Sequence, residues 1–268
     1  MQDERPITVL GAGGWIGAAL VASLQAAGRP VLSIERSNLR EWLAGSSPQG
    51  PLIYAIGLTA DFRSRPHATA EAHVGLLSAV LQRPGVERLL YLSSTRVYGR
   101  SATTAEATPL PCLSSDPSDL YNLSKLLGEA LVLQNSQPSF KVVRLSNVVG
   151  PQQPAGTFVG ALLEDGRQNG AVTIQQPAET QKDYVALEDV VRLLPLIAEH
   201  GAERLYNLGS GRNTSHSQVA AWLDQQGVRV TFAAANAAHP GLSFPPLSIT
   251  RLAAEFEPPG DAFRQTLL

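Results

Sequence analysis

The stretch Ile7-Thr8-Val9-Leu10-Gly11-Ala12-Gly13-Gly14-Trp15-Ile16-Gly17 decides the fold. A short apolar run that stops on a glycine reads as a buried parallel strand. From Trp15 to Ala27, Ile16, Leu20, Val21 and Leu24 recur at helical spacing, and Gly28 follows as a C-terminal cap. Val31–Ile34 is a second apolar run, so strand, helix and strand fit one βαβ unit. At the first join, Gly11 permits a tight turn, Gly14 lets backbone N–H groups approach a pyrophosphate, and Gly17 lets the helix pack close to the strand. Trp15 and Ile16 open the helix, whose N-terminus carries partial positive charge suited to phosphate. The expected ligand is a dinucleotide, NAD or NADP. Glu35 ends the second strand, where a carboxylate can accept hydrogen bonds from the adenosine ribose, which favours NAD. Arg36 follows at once, and its guanidinium could instead pair with the 2′-phosphate of NADP.

Working outward, Asn38–Ala44 reads as a short helix, Leu52–Ile56 as a strand, His67–Gln82 as a helix and Arg88–Ser93 as a strand. Ser101–Ser118 is a long connection dense in Ser, Thr and Pro, a length that is usually functional in a compact domain. Asp119–Asn135 is a strong helix, Lys141–Val148 a strand ended by Gly150-Pro151, Asp189–His200 a helix, Arg204–Leu208 a strand and Ser217–Gln225 a helix. The remaining C-terminal residues read as irregular, with Pro240, Pro245, Pro246, Pro258 and Pro259. This alternation predicts an α/β protein, a Rossmann-type doubly wound parallel sheet with a small C-terminal substrate-binding cap. Residues 1–150 form the dinucleotide-binding part, completed by about 183–210, and 151–182 with 211–268 form the cap.

Composition narrows the class. Lys and Arg number 21 against 23 Asp and Glu, a net charge of −2, so nothing calls for a nucleic acid or an anionic membrane surface as partner. No apolar run reaches the length of a spanning helix, and the acidic N-terminus does not read as a signal peptide, so a cytoplasmic protein is expected. A single cysteine, Cys112, and five scattered histidines lack ligand spacing, so no metal is expected.

Tyr121 and Lys125 stand one turn apart on the helix Asp119–Asn135. An ammonium near a phenol favours phenolate, and such a tyrosine can exchange a proton with an alcohol or carbonyl. Ser94 brings a hydroxyl to the C-terminal edge of the sheet, where open α/β sheets bind their ligands. Asp61-Phe62-Arg63-Ser64-Arg65 falls at the mouth of that site, where Arg63 could meet a substrate phosphate or carboxylate; Arg96 could do the same.

Six segments then carry a resemblance: Gly11–Gly17, Tyr91-Leu92-Ser93-Ser94-Thr95-Arg96-Val97-Tyr98-Gly99, Tyr121-Asn122-Leu123-Ser124-Lys125, Arg144-Leu145-Ser146-Asn147-Val148-Val149-Gly150-Pro151, Lys182-Asp183-Tyr184-Val185 and Tyr206-Asn207-Leu208-Gly209-Ser210-Gly211. In this order they resemble the extended short-chain dehydrogenase/reductases, the NAD-dependent epimerase/dehydratase group, over about residues 7 to 225. The resemblance implies hydride transfer at a sugar carbon, usually on a nucleotide-linked sugar. It makes Tyr121 the acid/base, Lys125 its tuner and a ribose ligand, Ser94 a hydrogen-bond donor to the reacting oxygen, Asn147 a substrate contact and Gly57 a cofactor contact. Thr95 and Arg96 stand where sugar dehydratases of the group carry Asp and Glu, so dehydration is disfavoured, and epimerase or ketosugar reductase remain. His73 stands where the family usually has an Asn that supports the proton relay or the substrate; it either takes that place as a hydrogen-bonding group near the substrate or is a histidine satisfied by its own helix or by water. Lys182 replaces an arginine suited to phosphate, keeping charge without the bidentate fork. The short interval from Glu35 to Leu52 predicts a missing edge strand and a partly open adenine pocket. A homodimer through the helices His67–Gln82 and Asp119–Asn135 is also implied, with Leu126, Leu127, Leu131 and Leu133 supplying apolar surface. The alternative of a different class is a non-catalytic NAD(P)-binding or redox-sensing protein on the same fold.

Overall fold

The computed structural model describes residues 5–45, 50–58, 61–234 and 243–264. Six parallel strands form the main sheet in the order β2 (Val31–Ile34), β1 (Ile7–Leu10), β3 (Leu52–Tyr54), β4 (Leu89–Ser94), β5 (Phe140–Leu145) and β9 (Leu205–Leu208). Strand alternation sorts their side chains to two faces. Ile7, Val9, Ile53, Leu90 and Val143 pack against Leu20 and Leu24 of α1 (Trp15–Ala26) and Leu193, Leu194 and Ile197 of α7 (Leu187–His200). Leu10, Leu52, Tyr54, Tyr91 and Val142 pack against Leu77 and Val80 of α4 (Leu76–Leu81) and Val132 of α5 (Asp119–Leu133). Each such buried apolar side chain contributes roughly 1.5–3 kcal/mol of transfer free energy, so both faces are anchored. Among the described residues β2 is the border of this sheet, with Leu32 exposed, and the short helix α2 (Leu39–Ala44) follows it, as the short interval after Glu35 implied.

The run read as one strand over Lys141–Val148 is two. It breaks at Ser146, whose N–H donates to Leu208 O and whose hydroxyl donates to Asp183 O. Beyond it β6 (Asn147–Val149) leaves the main sheet to pair with β8 (Gln181–Ala186), which β10 (Asn213–Ser215) joins from its other side. The sequence pattern marks no element between Gly150 and Asp189. The structure places there α6 (Phe158–Asn169), β7 (Ala171–Ile174) and β8, and β7 pairs with β11 (Arg229–Phe232). A separate core forms around Val159, Leu162 and Leu163 of α6 and Val219, Trp222 and Leu223 of α8 (His216–Gln225). The C-terminal part read as irregular contains α9 (Thr250–Glu255), whose Leu252 joins the main core; Pro240 lies outside the described residues.

Candidate active site

The glycine turn has the geometry of a phosphate cradle. Gly11 has φ +89°, and a Cβ there would fall 2.9 Å from the Ala55 carbonyl carbon. A Cβ on Gly17 would fall 2.2 Å from Gly11 O, so any other residue would push α1 off the turn. Gly14 caps α1 with extended backbone and no side chain in the way, which leaves the first N–H groups of the helix open to an anion. The Glu35 carboxylate stands 3.6 Å from the point a Cβ on Gly13 would occupy, over the turn, and its backbone N–H is tied to Asn38 Oδ1 at 2.7 Å. Arg36 is exposed. Trp15 does not simply line this turn: its indole N–H donates to Pro151 O at 2.9 Å, joining the cradle to the Gly150-Pro151 segment, while Ile16 packs on the core. These residues fit a dinucleotide, the pyrophosphate on the α1 N-terminus and the adenosine ribose at Glu35.

Two strands along, by the C-terminal end of β4, Lys125 is almost fully buried. Its Nζ donates to Leu92 O of β4 at 2.9 Å and lies 5.0 Å from the Tyr91 ring centroid and 5.9 Å from that of Tyr121. Burial pulls its pKa down to about 7, with Glu129 pulling the other way. A Cβ on Gly57 would stand 3.6 Å from this Nζ and 3.4 Å from His73 Nε2, in van der Waals contact with both, so Gly57 borders the ammonium from the β3 side. Tyr121 is buried, edge-on to His73 at 5.2 Å and 5.4 Å from the Phe62 ring. Ser94, the last residue of β4, accepts the Arg96 N–H at 3.2 Å as the cap of a 3-10 turn, Thr95–Tyr98. That contact fixes Oγ and leaves the hydroxyl proton to donate. The bond from Lys125 to Leu92 pins α5 to the last residues of β4, so Tyr121, Lys125 and Ser94 share one edge of the sheet.

His73 is not a substrate-facing residue. It is fully buried, and its Nε2 accepts the Leu58 N–H at 3.2 Å. Nδ1 therefore carries the proton and donates to Ser124 Oγ at 2.8 Å, and the Ser124 hydroxyl donates to Tyr121 O at 2.9 Å. Burial, aided by the Lys125 charge, drives its pKa down to about 2, so the imidazole is neutral. The helix read over His67–Gln82 exists but is interrupted: α3 (Pro66–Ala70) passes through a π-helical turn, Glu71–Gly75, into α4. The Tyr54 and Tyr91 hydroxyls donate to Ala72 O and His73 O at 2.7 and 3.3 Å, holding the wide turn and with it the imidazole.

The remaining expected substrate residues gather from separate segments. Asn147 is exposed and donates from Nδ2 to Asp183 O. Lys182 lies 5.2 Å from the Phe158 ring, and burial followed by the Arg96 charge lowers its pKa. Two neighbours were not legible beforehand. Phe158 of α6 stacks at 4.4 Å on His216, the first residue of α8, which burial and Lys182 bring down to about 4. Thr95 is half-buried in the 3-10 turn, and Arg63 and Arg96 both reach Ser118, just before α5.

The doubly wound sheet carries a glycine cradle after β1 and a Tyr–Lys pair beside the end of β4. Residues 7–209 match the model of the NAD dependent epimerase/dehydratase family, and the chain belongs to that family. It is 28% identical to the dTDP-6-deoxy-L-talose 4-dehydrogenase (NAD(P)(+)) of Kitasatospora kifunensis, covering 83% of this chain and 79% of that one. Its fold is similar to UDP-glucose 4-epimerase of Thermotoga maritima with UDP-glucose (TM-score 0.77, 20% identity, 93% and 91% of the two chains). It is also similar to RMD of Pseudomonas aeruginosa complexed with NADPH (TM-score 0.74, 22% identity, 97% and 95%). No described helix is long and apolar enough to cross a membrane.

Proposed function

We propose that this protein oxidises or reduces a secondary carbinol or ketone of a nucleotide-linked sugar, with Tyr121 as acid/base. The observation that carries this is the buried Lys125 ammonium, held by Leu92 O between the rings of Tyr91 and Tyr121. A nicotinamide supplies a hydride acceptor or donor when bound. Lys125 favours the phenolate of Tyr121, which takes the proton of the sugar hydroxyl as its carbon is oxidised and returns it on reduction. Ser94, with Oγ already fixed by the Arg96 N–H, donates its proton to the same sugar oxygen. Residues 1–150, completed from 183–210, would carry the dinucleotide, and 151–182 with 211–268 would cover the sugar. NAD is the better fit than NADP, because a 2′-phosphate beside Gly13 would meet the Glu35 carboxylate.

Epimerisation and net reduction use the same residues and differ in what becomes of the cofactor. The test is to incubate the purified full chain with NAD and UDP- or dTDP-hexoses, following absorbance of reduced nicotinamide and sugar configuration together. Epimer without net absorbance, with NAD retained through purification, identifies an epimerase. Stoichiometric reduced cofactor identifies a dehydrogenase working reversibly as a reductase. Absence of both signals across the whole panel refutes the proposal.

A homodimer belongs to the same reading. Leu123 and Leu127 are exposed one turn apart on α5, at 37% and 51%, while Leu126, Leu131 and Leu133 are half-buried. We expect a dimer in light scattering at micromolar concentration and a shift towards monomer in Leu127→Glu. A parent protein that stays monomeric overturns this.

A further inference from the structure

Phe62, almost fully buried, is a wall on which several polar groups meet. The Arg63 and Arg96 guanidinium carbons lie 4.5 and 5.4 Å from its ring centroid, and the Tyr121 ring is 5.4 Å away on the same side chain. Both guanidinium groups also converge on Ser118, which precedes α5. Arg63 donates to its Oγ at 3.1 Å and Arg96 to its carbonyl at 3.3 Å. Among the described residues neither forms an ion pair with a carboxylate. The two acids that act on Arg96 through charge, Asp116 and Asp119, are both bonded to Arg100.

Arg96 is half-buried, and its Nε is buried without a hydrogen-bond partner. Burial and the like charge of Arg63 hold its pKa below the usual arginine range, and Arg96 in turn depresses Lys182. Three cations from three separate segments thus share one region, and among the described residues none of the three is ion-paired with a carboxylate. An ordinary solvated arginine accounts for Arg63, which is exposed. It does not account for a guanidinium with an unpaired buried N–H beside like charges, an arrangement that costs free energy until an anion completes it.

We infer that Arg96 and Arg63 form an oxyanion subsite beside Tyr121, and that the sugar substrate carries a negative group next to its reacting carbon. The chemistry required is two or three oxygens sharing one negative charge, which a guanidinium fork binds with paired N–H bonds. A ring carboxylate, as in a hexuronate, and a phosphate ester on the sugar both supply it. The inference rests on the placing of Tyr121 at the reacting carbon proposed above.

Binding is measured by calorimetry on the full chain saturated with NAD, with two pairs of probes. UDP-glucuronate against UDP-glucose reads a carboxylate; glucose 6-phosphate against glucose reads a phosphate ester. The acidic member of one pair binds at least tenfold more tightly, and that pair identifies the source. In R96Q and R63Q the ratio falls to within about twofold, and R96K retains part of it. Arg63 is exposed, so R63Q keeps the test open even where R96Q folds poorly. Equal binding within both pairs, no binding of any probe, or equal weakening of both members by R96Q overturns the inference. Hydride transfer from a neutral UDP-hexose without any acid preference would remove this subsite and leave the oxidoreductase reading standing. An Arg96-dependent acid preference without hydride transfer from any probe would do the reverse.

Discussion

Tyr121→Phe should lower turnover by about 10²–10⁴-fold while NAD affinity stays within a few fold of the parent. The substitution removes one oxygen and little else. The ring keeps its contacts with Phe62 and with the edge of His73, and Lys125 keeps its bond to Leu92 O. The Tyr121 carbonyl, which accepts the Ser124 hydroxyl, is backbone and is unaffected. What is lost is the hydroxyl that the proposed mechanism makes the proton carrier. The pH dependence of the parent follows from Lys125, whose pKa burial brings to about 7. Its ammonium is fully present below that pH and is lost as pH rises through it, so its support for a phenolate declines on the alkaline side. Steady-state rates with a turning-over sugar nucleotide, beside fluorescence titration with NAD, check both halves. A variant that keeps more than a tenth of the parent rate removes Tyr121 from the mechanism.

Glu129→Ala carries the largest expected effect on stability, a loss of about 3–5 kcal/mol, or roughly 10 °C in Tm. Glu129 and Arg144 are both almost fully buried. Arg144 Nε lies 3.0 and 3.2 Å from the two carboxylate oxygens, and its terminal nitrogen lies 2.7 Å from Oε2. Ser93 donates to the same carboxylate at 2.5 Å, and Arg144 also donates to the Tyr98 hydroxyl at 2.7 Å. Removing the carboxylate strands a guanidinium in the interior between α5, β4 and β5. Desolvating two charges costs nearly what their attraction returns, so the double variant Glu129→Leu with Arg144→Met should regain most of the loss. Urea titration of the two variants separates these outcomes. A single variant within 1 kcal/mol of the parent would show that the cluster contributes little.

The parts legible in the sequence are those that local pattern controls. The Gly11–Gly17 turn, the strands β1 to β4 and the helix bearing Tyr121 and Lys125 depend on neighbours a few residues away, and they appear close to where the pattern placed them, whereas the run over Lys141–Val148 divides between two sheets. The π-helical turn was hidden because two hydroxyls on other strands, Tyr54 and Tyr91, hold it open. For His73 the resemblance offers a place near the substrate and the residue type offers a histidine satisfied internally; the second holds, through a Leu58 N–H arriving from beyond the end of β3 that no local pattern announces. The helix α6 escaped notice because its apolar face, Val159, Leu162 and Leu163, is meaningful only against Trp222 and Leu223 far along the chain. The convergence of Arg63 and Arg96 on one phenyl ring is likewise a property of the folded chain.

The widened turn at Glu71–Gly75 has a geometric corollary. An α-helix advances about 100° of rotation per residue, so the surplus residue acts as a phase shifter between the two halves of a single rod. Removing it would wind Pro66–Ala70 round by more than a quarter turn relative to Leu76–Leu81. Thr69, now wholly enclosed, would swing outward, and the preceding strand-to-helix segment bearing Phe62 would be re-aimed with it. Length between positions 66 and 81 is therefore as constrained as composition: the orientation of the wall that Phe62 offers to Tyr121 is metered by counting residues.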